Sequence, residues 1–316
     1  MTKIRACNIH FKRTIGYRYY SLFYESLIHE LSKTHEVERS GFEVEEPYEF
    51  NLGSSTQKEP MYLYESDCLI ENLETGEFNI LSTNDILHFN LLMEKSNPKL
   101  KGVFFSQFIR KHFISNVGEE FMHKYHPWIY FPFNTTNLEQ FYFKRKTYKN
   151  NLKDKMFFKG ILTDRPIIQH FDENLLECKE KLESSEDYFN NLIEYRVALS
   201  IGGRGEKCYR DIECMAIGMP ILRFEYLSEF NPTLIPNHHY ISIPMPEDYP
   251  KNSMNIECDR SGNKEHAEML SQRFSEVVKD TDFLDFVANN ARTYYENYLS
   301  PVNSIKYTID LLGLSI

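Results

Sequence analysis

The sequence of 316 residues predicts an α/β protein with two sheet-containing domains. Short apolar segments typical of buried strands alternate with segments whose apolar residues recur every three or four positions, the spacing of amphipathic helices. The length favours two domains or one large one, because a domain holds about 150 residues. Hydrophobic residues make up 41% of the chain and charged residues 26%, a globular composition that excludes a largely disordered protein.

The first half of the chain opens with a strand, a loop and a helix. Residues 3–11 form an apolar-rich run that predicts the strand, and residues 17–31 carry aromatic and aliphatic side chains at helical spacing. Residues 66–81 predict a hairpin that turns at Thr75-Gly76. Two further buried strands are expected, at 101–107 and 128–133.

The second half repeats this alternation, which predicts parallel sheets. Its strands are expected at 155–160, 195–201, 220–224 and 240–243. Its helices are expected at 173–182, 211–218, 265–279, 282–298 and 302–312. The polar and basic stretch between Asn134 and Lys155 is interpreted as a linker, and the alternative is the solvated face of a helix.

Charge and cysteine content exclude several classes of protein. The chain carries 36 Lys and Arg against 46 Asp and Glu, a net charge of −10, which argues against a general nucleic-acid binder but leaves room for one small basic pocket. The six cysteines form no Cys-x-x-Cys pair, so neither a zinc site nor a disulfide framework is expected. Without an apparent leader or an apolar stretch of about 20 residues, we expect a soluble cytoplasmic protein.

The strongest functional signal is a glycine-rich loop between a strand and a helix. Gly202, Gly203 and Gly205 allow sharp turns and a close approach of a ligand to the backbone. The helix that begins near Tyr209 would point its free N–H groups at the same loop, and helix N-termini bind anions. The alternative is an ordinary glycine turn capped by surface charges.

Charged side chains around this loop fit a nucleoside diphosphate. Arg204, Lys207 and Arg210 place three cations close together in an acidic chain. A forked guanidinium beside a helix start suits a diphosphate better than a point charge does. Glu213, in the first turns of the helix, can accept hydrogen bonds from a ribose.

These residues resemble the carboxy-terminal nucleotide-sugar segment of GT-B glycosyltransferases. In many of those enzymes a Glu before Ala-Met-Ala-x-Gly-x-Pro-Val contacts the ribose, and Glu213-Cys-Met-Ala-Ile-Gly-Met-Pro-Ile follows that pattern. The match looks closest to the protein O-glucosyltransferase and fungal capsule xylosyltransferase group, with relatives in large viruses and bacteria. That group shares the Tyr209-Arg210 pair and a later Pro-x-x-His-Tyr-Ile segment, here residues 236–241. Its earlier basic and glycine element resembles Phe158-Lys159-Gly160 followed by Arg165.

The resemblance covers about residues 155–312 and implies the GT-B fold: two Rossmann-like domains with a cleft between them and C-terminal helices that return to the first domain. The implied parts are an acceptor-side domain over 1–150, a nucleotide-sugar domain over 151–295, and a returning helix over 296–316. It implies donor phosphates at Lys159, Arg165 and Arg210, and the ribose at Glu213. The complete candidate donor site comprises Lys159, Gly160, Arg165, Gly203, Arg204, Gly205, Tyr209, Arg210, Glu213 and Tyr240.

An inverting enzyme of this fold needs a base from the first domain to deprotonate the acceptor hydroxyl. Asp85 and His10 are the candidates, because each follows or ends a predicted strand, and the carboxyl ends of strands line the crevice of an open α/β sheet. The alternatives are a helix-capping Asp85 and a buried, hydrogen-bonded His10. His238 and His239 are adjacent, a spacing that rarely serves one metal ion, so we interpret them as packing or base-pocket residues.

The predicted activity is transfer of a hexose or pentose from a nucleotide diphosphate sugar, with UDP favoured, to a hydroxyl of a glycan or protein. Arginines, a lysine and a helix N-terminus would offset the charge of the leaving diphosphate, so no metal or other cofactor is expected. The alternatives are a transferase that uses a GDP-linked fucose or mannose, and a non-catalytic protein that binds nucleotide sugars or glycans. A nucleotide-binding protein outside sugar chemistry is disfavoured, because no Gly-x-Gly-x-x-Gly follows the first strand.

Overall fold

The computed structural model describes residues 2–11, 17–44, 67–83, 94–129, 137–160, 165–179, 184–202, 206–246 and 263–314. The chain forms two compact units, each with its own sheet. Unit 1 comprises Met1–Phe133, Ser228–Asn231 and Pro301–Ile316, and unit 2 comprises Asn134–Leu227 and Pro232–Ser300. The predicted α/β class is confirmed.

Strands and helices alternate along most of the described chain. The strands are β1 (Lys3–Phe11), β2 (Glu36–Val44), β3 (Asp67–Asn72), β4 (Phe78–Ser82), β5 (Leu100–Phe105), β6 (Tyr125–Pro127), β7 (Lys153–Lys159), β8 (Leu176–Lys179), β9 (Tyr195–Leu199), β10 (Ile221–Phe224) and β11 (Ile241–Ile243). The α-helices are α1 (Tyr17–Leu31), α2 (Arg110–Val117), α3 (Leu138–Tyr148), α4 (Ser185–Leu192), α5 (Tyr209–Ala216), α6 (Lys264–Val277), α7 (Thr281–Tyr294) and α8 (Pro301–Leu311). None of the helices in these parts of the chain is long and apolar enough to cross a membrane.

Unit 1 contains a six-stranded sheet in the order β2-β1-β3-β4-β5-β6. Strand β3 runs antiparallel to both of its neighbours, whereas the other strand pairs are parallel. The cause is the predicted hairpin, which is confirmed: the Oδ1 atom of Asn72 accepts the N–H groups of Glu74 and Thr75, and Gly76 adopts a φ of 69°. The first sheet is therefore mixed, and the expectation that both sheets are parallel is wrong for it.

Helices α1 and α8 pack in the same apolar cluster of unit 1. Phe23 and Leu27 of α1 are fully buried there together with Ile309 of α8. The indole Nε1 of the buried Trp128 donates to Oγ1 of Thr308 at 3.2 Å. Trp128 directly follows β6, and residues 130–133 of the strand predicted over 128–133 lie outside the described residues.

Unit 2 contains five parallel strands in the order β11-β10-β9-β7-β8. The helix predicted over 173–182 is wrong, because β8 occupies Leu176–Lys179 within that range and pairs with β7, Phe158 opposite Cys178. Helix α4 begins later, at Ser185, after the hydroxyl of Ser184 accepts the N–H of Asp187 at 3.1 Å. Of the residues whose spacing predicts a helix there, Leu176 is buried in β8, and Leu182 lies outside the described residues.

The segment interpreted as a linker between Asn134 and Lys155 contains helix α3, the alternative interpretation. Arg145 of α3 is 8% exposed, and its guanidinium donates to four backbone carbonyls. Those carbonyls belong to Gly218, Ile193, Tyr195 and Arg196. This packing makes α3 part of unit 2, which begins at Asn134.

The strand order of unit 2 creates one point at which the chain changes direction across the sheet. From β7 the chain first adds β8 on one side, and it then adds β9, β10 and β11 on the other side. In an open parallel sheet the loops that leave the carboxyl ends of such a strand pair diverge, and ligands bind in the crevice between them. For unit 2 this switch point lies between the carboxyl ends of β7 and β9.

Candidate functional site

The switch point of unit 2 brings together residues that are distant in sequence. Strand β7 ends at Lys159, and the segment after β9 includes Gly202. The Nε atom of Arg165 donates to the carbonyl of Gly202 at 3.0 Å. A second guanidinium, that of Arg210 in the first turn of α5, donates through Nη2 to the carbonyl of Lys159. These two bonds connect the loops that leave β7 and β9.

The two guanidinium groups also share an aromatic support. The ring of Phe158 is fully buried, with the guanidinium carbon of Arg210 at 4.4 Å and that of Arg165 at 5.7 Å from its centroid. A Cβ atom at Gly160 would lie 2.9 Å from Cζ of Phe158 and 3.3 Å from Nη1 of Arg165. The chain therefore needs glycine at position 160, since a side chain there would displace the ring that supports both arginines.

Lys159 adds a third cation beside the arginines. Its Nζ atom lies 4.9 Å from the centroid of the Tyr188 ring. Burial lowers the pKa of Lys159, while the charge of Glu213 opposes this shift and that of Arg210 adds to it. The pKa shift reports that Lys159, Arg210 and Glu213 interact electrostatically, and an added anion would favour the charged form of the lysine.

One nitrogen of the Arg210 guanidinium lacks a hydrogen-bond acceptor among the described residues. Among the described residues, no atom accepts a hydrogen bond from its Nη1, although that atom is buried. A buried donor without a partner costs about 1–3 kcal/mol, and more when the group is charged. An anionic oxygen at this position would remove that cost, and guanidinium groups bind phosphate oxygens well.

Helix α5 begins next to these cations. Cys208 is its N-cap residue, and the N–H of Cys208 donates to Oδ2 of Asp211 at 3.2 Å. Burial raises the pKa of Cys208 to about 12, so the thiol stays protonated at neutral pH. Tyr209, the first helical residue, is 42% exposed. The positive dipole end of α5 thus adds to the electrostatic attraction of an anion.

A buried network around Asp211 was not recognised in the sequence as part of the site. Oδ2 of Asp211 accepts from Nη1 of Arg223 at 2.8 Å and from the hydroxyl of Tyr226 at 2.7 Å, and Oδ1 accepts from the hydroxyl of Ser200. Nη1 of Arg223 also donates to the carbonyl of Glu206 at 3.3 Å. One signal was present: an arginine within the apolar strand Ile221–Phe224 must be paired if it is buried.

The structure groups five of the predicted donor residues at the switch point: Lys159, Gly160, Arg165, Arg210 and Glu213. Tyr240 is buried and contacts Tyr226 at 5.1 Å between ring centroids, so it adjoins the Asp211 network. Gly203, Arg204 and Gly205 lie outside the described residues, as does Asp85. His10 belongs to β1 through its backbone, which pairs with Glu43, and its side chain is not among the described ones.

The two adjacent histidines form part of a tight turn before β11. The N–H of Ile235 donates to Nδ1 of His239 at 2.8 Å, and the N–H groups of His238 and His239 both donate to the carbonyl of Ile235. Their rings pack against α7, His238 on Phe286 and His239 on Tyr294, with centroids 5.1 and 5.2 Å apart. These contacts favour the packing interpretation. Across the described parts of the chain, no group of three or more His, Cys, Asp or Glu side chains could hold a metal ion.

We expect this turn to make the stability of the protein depend on pH. Burial lowers the pKa of His239 to about 4, and the charge of His238 adds to this shift. The pKa of His239 in the folded protein lies below the unfolded value of about 6.5. The contribution of neutral His239 to the free energy of unfolding is therefore fully present above pH 6.5 and is lost as the pH falls towards 4. We expect the urea midpoint to decrease between pH 7 and pH 4.5, and to decrease less in His239→Gln. Equal decreases in both proteins would contradict this origin.

Comparisons with known proteins gave similar folds but no family. No protein-family model and no curated protein sequence matches the chain. WaaG, a glycosyltransferase of lipopolysaccharide biosynthesis, is 7% identical over 97% of this chain and 98% of its own, with a TM-score of 0.46. The pneumococcal O-GlcNAc transferase GtfA, solved with UDP and GlcNAc, is 9% identical over 99% of this chain and 98% of its own, with a TM-score of 0.41. A Rickettsia africae glycosyltransferase is 12% identical over 73% of this chain and 69% of its own, with a TM-score of 0.42. At these values the likeness assigns no family to the chain.

Proposed function

We propose that unit 2 binds a nucleotide diphosphate sugar and that the protein transfers the sugar to a hydroxyl of a glycan or protein acceptor. The observation that carries this proposal is the buried Nη1 of Arg210, which has no hydrogen-bond partner among the described residues and lies at the switch point of a parallel sheet, beside Lys159 and Arg165. Such a crevice is where open α/β sheets bind their ligands. The sequence resemblance of this segment to nucleotide-sugar enzymes gives the ligand its chemical class.

The diphosphate is the part of the donor that this cluster fits best. Arg210 and Arg165 are both fixed by a hydrogen bond to a backbone carbonyl and by the Phe158 ring, so their binding geometry exists before the ligand arrives. Preorganised cations gain affinity because little conformational entropy is lost on binding. The positive dipole end of α5 faces the same cations and adds to the attraction of an anion.

Glu213 is proposed to accept hydrogen bonds from the ribose hydroxyls. It lies in the second turn of α5, and its charge acts on Lys159. A carboxylate there can hold a ribose while the cations hold the phosphates. UDP is the proposed nucleotide, because this segment resembles enzymes for which a UDP-linked donor is favoured.

In the proposed reaction the acceptor oxygen forms a bond to the anomeric carbon and the bond from that carbon to the diphosphate oxygen breaks. The departing diphosphate gains negative charge, which Lys159, Arg165 and Arg210 would stabilise. For an inverting reaction the acceptor proton passes to a base, for which Asp85 and His10 are the proposed residues. No metal is proposed, because three cations and a helix N-terminus serve the same electrostatic purpose.

A thermal-shift panel tests the donor site directly. The folded protein is measured with UDP, GDP, ADP, CMP and TDP, each alone and with a sugar attached. We expect UDP to raise the melting temperature and one UDP-sugar to raise it further. A larger shift with a GDP-sugar would replace UDP in the proposal, and no shift with any compound would overturn the donor site. Binding without release of nucleotide, with or without acceptors, would identify a non-catalytic binding protein.

Chelation of divalent ions is expected to leave turnover unchanged. Once a donor has been identified, the rate of nucleotide release is measured with an excess of EDTA and after addition of manganese. Cationic side chains stabilise the leaving group in the proposed mechanism, so neither addition should alter the rate. Activity that is lost in EDTA and restored by manganese would contradict the metal-independent mechanism.

A further inference from the structure

We infer that Arg223 and Tyr226 are positioning residues: through Asp211 and Glu206 they hold the first turn of α5 and the end of the glycine-rich loop in the geometry that binds a diphosphate. This inference rests on the proposed function, because it concerns the same anion site. Neither Arg223 nor Tyr226 belongs to the cluster of positively charged side chains around Phe158 that is proposed to bind the diphosphate.

Arg223 joins two segments on either side of the N-cap of α5. Its Nη1 donates to the carbonyl of Glu206, where the glycine-rich loop ends, and to the carboxylate of Asp211 in the first helical turn. The Nη2 atom lies 3.8 Å from Oε1 of Glu206. The side chains of Arg223, Glu206 and Asp211 are at most 4% exposed, so these contacts are shielded from water. One guanidinium on β10 therefore fixes both the loop end and the helix start.

Tyr226 restrains the same guanidinium and the same carboxylate. Its ring centroid lies 3.4 Å from the guanidinium carbon of Arg223, and its hydroxyl donates to Oδ2 of Asp211. Burial raises the pKa of Tyr226 well above its usual range, so the hydroxyl remains a donor at neutral pH. Glu206 is restrained as well, because its Oε1 accepts the N–H of Leu227 at 2.6 Å.

The network also has an electrostatic effect. Two buried carboxylates next to a diphosphate site would repel the ligand. The guanidinium of Arg223 pairs with both carboxylates and offsets their negative charge. The hydroxyl groups of Tyr226 and Ser200 donate further hydrogen bonds to the Asp211 carboxylate. The N-terminus of α5 thereby keeps its attraction for anions although the first helical turn contains an acidic residue.

Tyr226→Phe tests the inference with the smallest change. The variant keeps the ring on Arg223 and loses only the hydroxyl bonded to Asp211. We expect the Kd for UDP, measured by calorimetry, to rise roughly 2- to 30-fold, the range of couplings transmitted without ligand contact. Hydrogen exchange of the amides in residues 206–210 should become faster, because the start of α5 is held less firmly. A role in stability alone would leave the Kd of the folded protein unchanged.

Tyr195→Phe is the matched control. Tyr195 is also buried and also loses one hydroxyl contact, with Nζ of Lys153 at 3.5 Å, but it begins β9 and so lies at the other end of that strand from the loop. Its Kd for UDP should equal that of the parent protein. Equal Kd values for Tyr226→Phe and the parent, or equal weakening in both Phe variants, would overturn the inference.

Arg223→Lys provides a second, independent test. Lysine keeps the positive charge but cannot reproduce the forked contacts to Glu206 and Asp211. The Arg223→Lys variant should weaken UDP binding at least as much as Tyr226→Phe does. Its urea unfolding midpoint shows whether the variant is folded. A folded Arg223→Lys variant with the parental Kd for UDP would also overturn the inference. If the parent protein itself binds none of the nucleoside diphosphates, the proposed function fails instead, so the two failures are distinguishable.

Discussion

Replacement of Arg210 by methionine is expected to weaken binding of UDP by roughly 10- to 150-fold, the equivalent of the 1.5–3 kcal/mol that a charged hydrogen bond contributes. The physical reason is the buried Nη1, which has no acceptor among the described residues and would bind a phosphate oxygen. Methionine keeps most of the apolar contact with Phe158 and removes the charge. Calorimetric titration with UDP measures the Kd, and titration with uridine shows whether the loss is confined to the phosphates.

Arg196→Met is the control for Arg210→Met. Arg196 lies near the start of β9, away from the carboxyl end of that strand, and its guanidinium pairs with Asp154. Its replacement removes one positive charge from the same unit, so it corrects for the general change in net charge. We expect the control to bind UDP as the parent does. If Arg210→Met retains the parental Kd for UDP, the phosphate role of Arg210 is wrong.

Replacement of Arg145 by methionine is expected to destabilise unit 2 by about 3–5 kcal/mol. The guanidinium makes four hydrogen bonds to backbone carbonyls, two of them buried, and their loss leaves those acceptors without a charged donor. Burial lowers the pKa of Arg145 to about 10, still well above neutral pH, so the side chain is charged under ordinary conditions. Urea unfolding, followed by circular dichroism and by hydrogen exchange in β9, measures the change.

The neighbouring Lys146→Met variant is the matched control for Arg145→Met. Lys146 occupies the next position of α3, is exposed, and contacts the ring of Tyr142 at 4.3 Å from its centroid. Its replacement should change the free energy of unfolding by no more than about 0.5 kcal/mol, as surface substitutions usually do. Equal stability losses in the two variants would show that α3 tolerates no change at all, and that the buried bonds of Arg145 are not the cause.

The sequence identified most strands and helices because their patterns are local. Helix α1, the β3–β4 hairpin, β7, β9 and α5 follow from apolar spacing and glycine turns that no distant contact overrides. The spacing around β8 wrongly predicts a helix, since four residues of a short strand fit either period. Strand β2 carries alternating charged residues and was not predicted as a strand, because its pairing with β1 is decided by tertiary contacts.

For the candidate site, the sequence indicated the cations but not their support. Lys159, Arg165 and Arg210 stand beside glycine loops, a pattern that predicts anion binding without knowledge of the fold. The Phe158 ring beneath the arginines is one apolar residue among many until β7 and α5 are brought together. The pairing of Arg223 with Asp211 and Glu206 likewise depends on the adjacency of β9 and β10, which sequence spacing does not reveal.

The division of unit 1 into three segments has a consequence for the order of folding during synthesis. Unit 1 includes Pro301–Ile316, and Ile309 of α8 is fully buried in the same core cluster as Phe23 and Leu27 of α1. A ribosome completes the whole of unit 2 before it reaches α8. The N-terminal unit therefore cannot bury this surface when it first emerges, and it must wait while the unit that follows it in sequence folds. Nascent chains stalled before α8 should thus present an unfinished apolar face, the kind of surface that chaperones bind.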